Sequence, residues 1–555
     1  MPKNAAQAQP AGDSPEPLLT RRGFLSGSAG LGSIVLSGAA PALPRHPDAK
    51  PKGATKGHPE NDRVGRAYQV RVQAAEHARS QGAGGLRPNG DERRLGRMAC
   101  YTKGLPHDAR GEVDPKAWDV LLRALAGGRP EDFEQIPLGG FVKLANPQAA
   151  LAFELIGPDA SQLELAPPPS FDSPEQAAEM VELYWHALAR DVPFAEYGAH
   201  PLIARAAEDL SRLSAFRGPR QDGRVGGATV FRGATAGDVA GPYLSQFLWK
   251  PIPWTPLKVE QKIRTAVPGV DYLTGFDDWL RVQNGAITGV NQFDAQARYI
   301  RNGRDLGEYV HRDFTYQSFL GACLAALKMG TLPDGGNPYM HSRTQSGFTT
   351  FGQPYLLYLI AVVTQVALKL CWYQKWMVHR RLRPEELAGR VEARRRGLAE
   401  FPLHAELLGS GALDEVLRRT GGGLLPQAYP EGCPTHPSYP AGHAVIAGAC
   451  VTALKACLDE SHEIPEPVVA SADGLSLVPY KGPALTVGGE LDKLASNIAI
   501  GRDFAGLHWR SDGIEGMRLG EAVAIEVLAE LRLTGNELFS GFSLRRFDGT
   551  RMDVG

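Results

Sequence analysis

The chain has 555 residues, with 60 basic and 61 acidic side chains, a formal net charge of -1 and 43% hydrophobic residues. That composition supports a sizeable core and excludes wholesale disorder, and the balanced charge argues against nucleic-acid binding as the main activity. The six cysteines form no CxxC pair, which argues against zinc fingers, iron–sulfur clusters and a dense disulfide scaffold but leaves room for one or two bridges.

The N-terminus reads as an address. Thr20-Arg21-Arg22-Gly23-Phe24-Leu25 is a twin-arginine sequence; an apolar, glycine-rich stretch follows, and Ala40-Pro41-Ala42 offers an A-x-A cleavage pattern. Residues 1–42 are therefore expected to be a twin-arginine signal peptide that sends the folded protein to the periplasm or beyond. Residues 43–61, rich in Pro, Lys and Gly, read as a linker. The region 62–170 carries no pattern that assigns it a role, and strand-like alternation is confined to short pieces such as 139–165.

From 171 to 555 the pattern is helical, and the expected fold is mainly α. Ser173-Pro174-Glu175 is a helix start, with Ser at the N-cap and Pro in the first turn. Stretches 201–216 and 305–329 carry the helical period. The run 355–373 is apolar enough to span a bilayer on length. Its Gln365 and Lys369, and the basic residues that follow, favour a buried core helix, so the mature protein is expected to be soluble and without a membrane span. Two long Gly/Pro-rich loops, 331–354 and 420–442, are of a length usually kept for function.

Three clusters in the C-terminal half carry chemistry. Lys375, His379, Arg380, Arg381 and Arg383 close the apolar helix, and Pro384 is expected to stop it with Arg383 extended. Alone, this cluster also fits a solvated basic helix terminus. His436-Pro437-Ser438-Tyr439-Pro440-Ala441-Gly442-His443 precedes a small-residue helix, so Gly442 offers a backbone N–H at a helix N-terminus, where anions bind. In the third cluster, Arg502 and His508 lie six residues apart. A continuous helix would turn them by about 600°, onto different faces. They converge only if Gly506 ends the helix in the left-handed conformation and Ser511 or Asp512 caps the next one.

Three cations, one backbone donor and two imidazoles are what a tetrahedral oxyanion needs. In NIAIGRDFAGLHWRSD, QKWMVHRRLRPE and HPSYPAGHA the chain resembles the vanadium-dependent haloperoxidases, which share their anion pocket with acid phosphatases of the PAP2 type. The resemblance covers roughly residues 270–535. It implies two four-helix bundles with the site at one end, vanadate(V) as cofactor, and hydrogen peroxide, halide and a small organic acceptor as partners, in a homodimer or larger assembly. By resemblance, Lys375, Arg383 and Arg502 hold the equatorial vanadate oxygens together with the Gly442 N–H. His508 is the metal ligand, and His443 is the acid–base histidine. Lys375 adds positive charge to the activated oxygen, and the metal stays redox-neutral while halide is oxidised to hypohalous acid. His436 matches the second pocket histidine of the algal bromoperoxidase-like branch, which implies oxidation of bromide or iodide. The family's Ser-Gly-His is here Ala441-Gly442-His443, so one hydroxyl donor is missing, which a water molecule or Ser438 from the same loop is expected to replace in part. Two other readings stay open on sequence: a PAP2-type phosphatase with His508 as nucleophile and His443 as general acid, and an exported phosphate- or vanadate-binding protein.

Overall fold

The computed structural model describes residues 62–555. The expected signal peptide and linker lie outside the described residues. Helix α1 (Arg63–Ser80) and helix α2 (Pro115–Gly127) precede the first long core helix, α3 (Pro174–Ala189), which begins where the sequence placed it. Ser173 caps it, its hydroxyl accepting from the Gln176 N–H at 3.1 Å, with Pro174 at the first helical position. Helix α4 (Pro201–Arg212) follows. The stretch 305–329 is two helices rather than one, α5 (Gly303–Arg312) and α6 (Gln317–Lys328). The break falls at Asp313, which is extended.

The apolar stretch forms α7 (Gln353–Tyr373), prolonged by a π-turn over Gln374–His379. Pro384 does not stop it. The chain leaves the helix at Arg380, which has a φ of 41°, and Pro384 instead opens α8 (Pro384–Arg395) after an extended Arg383. Helices α9 (Ala405–Leu408), α10 (Gly411–Thr420), α11 (Gly442–Lys455), α12 (Val487–Phe504) and α13 (Arg510–Arg532) follow, and the described residues also form shorter helices such as Phe276–Gln283. Gly506, at φ 87°, ends the turn after α12 as expected. The next helix starts earlier than expected: its N-cap is Trp509, two residues before Ser511 and three before Asp512, Arg510 opens it, and the Asp512 carboxylate accepts from the Trp509 N–H at 3.2 Å.

Helices α7, α11, α12 and α13 form the first bundle, with α5 packed along α12; α4, the one-turn α9 and α10 gather around α3. Close approach in the first bundle depends on glycine. A Cβ on Gly448 of α11 would sit 2.1 Å from the Met517 carbonyl oxygen, and one on Gly520 of α13 would sit 2.0 Å from that of Val445. Buried Leu356, Leu359, Ile360, Val363 and Leu370 commit one side of α7 to the same core. Gln353–His379 is long and apolar enough to cross a membrane, and half of its most apolar window is buried inside the chain.

Strands are few and peripheral: among the described residues, four two-stranded antiparallel sheets. None falls at 139–165, which is loop with a 3-10 turn at Pro147–Leu151. Gly139 and Gly140 press against Asn284 there, where a Cβ on Gly140 would meet the Asn284 carbonyl oxygen at 2.5 Å. All six cysteines are unbridged.

Candidate active site

The long loop before α11, the π-turn after α7 and the break between α12 and α13 meet at one end of the first bundle. His508, in that break, is buried. Its Nδ1 lies 2.8 Å from the Asp512 carboxylate, which can only accept, so Nδ1 carries the proton. Its Nε2 lies 2.8 Å from Arg383 Nη1, a pure donor, so Nε2 carries the lone pair. Burial, then the Arg383, Lys375 and Arg502 charges, hold His508 well below its ordinary pKa and keep it neutral.

Arg383 is spent on this corner. Its Nε donates to the His436 carbonyl at 3.0 Å, Nη1 also to the Leu507 carbonyl at 2.9 Å, and Nη2 to His436 Nδ1 at 2.9 Å. His436 therefore bears its proton on Nε2, and its ring lies 4.9 Å from that of Trp372. Burial, followed by Arg383 and Lys375, keeps it neutral too. Lys375 is fully buried and donates to the Pro437 and Ser438 carbonyls at 2.8 and 2.7 Å. Burial pushes its ammonium down to about 7, so a bound anion would restore its charge.

Arg502, on α12, donates from Nη1 to the Val310 carbonyl at 2.9 Å, while its buried Nε has no partner. An orphaned guanidinium donor in a dry site is costly unless a ligand meets it. Gly442 is the first residue of α11, where helix N–H groups lack intrahelical acceptors. A Cβ on Gly442 would meet only the Trp372 ring, at 3.7 Å, so the fold itself does not demand glycine; its absence leaves the backbone donor approachable. The site thus gathers an unpartnered guanidinium N–H, a helix N-terminal N–H, a buried ammonium and an imidazole lone pair now met by Arg383, a donor set whose chemistry suits a tetrahedral oxyanion bound through nitrogen.

His443 stands apart from this saturated corner. Its side chain is 29% exposed and its Nε2 lies 3.1 Å from the Asp313 carboxylate, at the break between α5 and α6. Ser438 does not replace the missing Ala441 hydroxyl. Its Oγ donates to Asp512 and lies 3.5 Å from His508 Nδ1, on the Asp512 side of the ring.

Several residues that sequence reasoning did not assign to the site hold it together. Asp512 was expected as a helix cap and as the end of the Arg502-x5-His508-x3-Asp512 pattern that also fits the PAP2-type phosphatases, with no contact to His508 assigned. Arg381, in the basic run, lies buried and donates to Asp512 Oδ1 at 2.8 Å and Ser511 Oγ at 2.7 Å, and to Glu179 and Gln176 of α3 at 2.8 and 2.7 Å. The region 62–170 buttresses the same corner. Lys103 Nζ donates to Glu385 and to the Glu431 and Cys433 carbonyls, each at 2.7 Å. The Thr102 N–H binds Glu386, whose other oxygen takes the Arg383 N–H at 2.7 Å.

Comparison with known proteins agrees with this architecture. Residues 415–535 match the family model described as the VCPO second helical-bundle domain. The chain is 37% identical over 519 residues to the vanadium-dependent bromoperoxidase of Ascophyllum nodosum, covering 88% of this chain and 92% of the relative. It is 35% identical over 586 residues to that of Corallina pilulifera, covering 88% and 98%. The solved homohexameric structure of the second vanadate-dependent bromoperoxidase from A. nodosum superposes with a TM-score of 0.84 at 31% identity, over 89% of this chain and 90% of that one. With relatives this similar along nearly their whole length, and the oxyanion corner built from the residues that carry the resemblance, the chain belongs to the vanadium-dependent haloperoxidase family, on its algal bromoperoxidase-like branch.

Proposed function

We propose that this chain is a vanadate-dependent haloperoxidase that uses hydrogen peroxide to oxidise bromide or iodide to hypohalous acid, which halogenates small organic acceptors. One observation carries the reading: a neutral, buried His508 whose lone-pair Nε2 lies among buried cations, one of which keeps a donor without a partner. Lys375, Arg383, Arg502 and the Gly442 N–H would hold the vanadate oxygens, and His508 Nε2 the vanadium. Bound vanadate supplies a Lewis-acidic V(V) centre at which hydrogen peroxide becomes an oxygen donor to halide without any change of metal oxidation state.

The chain's residues do the rest. Arg383 and Arg502 offset the negative charge of the site in a low-dielectric setting, where preorganised donors act most strongly. Lys375 adds charge that depends on the anion it faces. The net reaction, hydrogen peroxide plus bromide plus a proton giving hypobromous acid plus water, consumes one proton per turnover. His443 is placed to manage it: Asp313 holds Nε2, leaving Nδ1 to take up and release protons at a half-exposed position. His436 puts an imidazole N–H beside Trp372, and this polar pocket supports oxidation of bromide and iodide with little of chloride.

The twin-arginine sequence supports export to the periplasm or beyond. The buried side of α7 supports a mature protein with no membrane span. The homohexameric neighbour supports a homo-oligomer. Bromination of a phenol dye, assayed with and without added orthovanadate, tests the central reading. Bromide-dependent, vanadate-restored turnover is expected. Hydrolysis of p-nitrophenyl phosphate that vanadate inhibits, with no bromination, would overturn it in favour of a phosphatase.

A further inference from the structure

Arg381 is a buried cation outside the set that faces the anion, and it makes four side-chain hydrogen bonds. Its guanidinium lies 5.0 Å from the Trp509 ring and ties two elements together, α3 through Gln176 and Glu179 and the start of α13 through Ser511 and Asp512. Burying an arginine against carboxylates is weak evidence for stabilisation, since desolvation offsets most of the attraction. Its geometry is more informative than its charge.

The Asp512 carboxylate divides its two oxygens. Oδ2 accepts from His508 Nδ1, Ser438 Oγ and the Trp509 N–H, whereas Oδ1 accepts from Arg381 Nη1. Arg381 therefore fixes the rotation of the carboxylate about its Cβ–Cγ bond, which sets where Oδ2 meets the imidazole. That contact decides which ring nitrogen holds the proton and which way the other one points. The Arg381 backbone acts separately from the side chain. Its carbonyl accepts from the Ser438 N–H at 2.9 Å and so steadies the loop whose carbonyls hold Lys375. A side-chain substitution removes the first function and leaves the second.

We propose that Arg381 is a positioning residue for the nitrogen that would bind vanadium, acting through Asp512 on His508 and not on the cations that hold the oxygens. This rests on the haloperoxidase reading above. It makes a prediction that a purely structural role does not. Phosphate uses the cations but forms no bond to nitrogen, whereas vanadate needs both. Losing the Arg381 side chain should therefore weaken vanadate much more than phosphate.

The test is equilibrium binding of orthovanadate and of inorganic phosphate to the apo form of the full chain, wild type beside Arg381→Met and Arg381→Lys, with thermal unfolding as a folding check. For Arg381→Met we expect vanadate affinity to fall at least about tenfold and phosphate affinity to stay within about twofold. For Arg381→Lys, which keeps one donor of the fork, we expect vanadate to weaken about threefold with phosphate unmoved. If the methionine variant does not fold, the lysine variant carries the test by the same criterion. Parallel losses for both anions, or no loss for either, would overturn the positioning role. A wild-type protein that does not prefer vanadate to phosphate would instead overturn the haloperoxidase reading.

Discussion

The floor and the mouth of the site are built by opposite rules. At the floor, His508, Arg383 and Lys375 are buried, and four of the five N–H donors of the Arg383 side chain have a partner within the chain, which leaves one for an anion. At the mouth, His443 is partly exposed and has Asp313 as its partner; Arg502, buried on α12, keeps an unmatched Nε. A saturated, dry floor fixes ligand direction, because any displacement leaves buried groups unpaired. An open, under-committed mouth permits proton exchange with solvent. Binding and proton transfer should thus separate by residue, and substitutions on either side can break that division.

The largest effect is expected at the mouth. His443→Ala should lower bromide-oxidation turnover by about 10²–10⁴-fold, the range for losing a positioned acid–base group. Vanadate affinity, measured by equilibrium dialysis, should change by no more than about threefold. A comparable loss of affinity would show that the mouth helps to hold the anion and would erase the division.

A second variant strains the floor from behind. Lys103→Met leaves the Glu385 carboxylate and two backbone carbonyls buried without their shared donor, and breaking a buried pair this way costs about 3–5 kcal/mol. The thermal unfolding midpoint should drop by several degrees, and vanadate affinity should weaken with it, since Glu385 and Glu386 flank the start of α8. An unchanged midpoint would mean that the region 62–170 is no buttress of the site.

These two variants also mark what was legible in the sequence. Lys375, Arg383, Arg502, His443 and His508 stood out in the sequence as donors in short, ordered motifs, and the structure brings Lys375, Arg383 and His508 to one buried corner. Gly506 was readable because two residues six apart converge only through a left-handed break. Arg381 and Lys103 were not, because in sequence each looks like an ordinary surface cation. Their carboxylate partners lie 202 and 282 residues away, and only the tertiary fold brings them together. The same holds for Asp313, 130 residues from His443, which the sequence placed inside a continuous helix. The strand-like pattern at 139–165 misled for a related reason: close packing of Gly139 and Gly140 on Asn284 overrode local alternation.

A smaller effect is expected where floor and mouth join. Ala441 is the buried N-cap of α11, and its side chain can offer no hydrogen bond. In Ala441→Ser the hydroxyl can accept from a first-turn N–H and donate its proton to a vanadate oxygen. A hydrogen bond to a charged group is worth about 1.5–3 kcal/mol, so affinity should tighten by about tenfold, read as the orthovanadate concentration that half-restores activity to the apo-protein. Equal or weaker binding would mean that the cap position does not face the anion.

The central claim is that His508 supplies the single protein bond to vanadium. Equilibrium binding of orthovanadate to the wild type and to His508→Ala, with unfolding midpoints measured in parallel, tests it most directly. We expect a folded variant that has lost vanadate-specific binding and all bromination while still holding phosphate through Lys375, Arg383 and Arg502. A folded His508→Ala that binds vanadate like the wild type and brominates at saturating vanadate would contradict it.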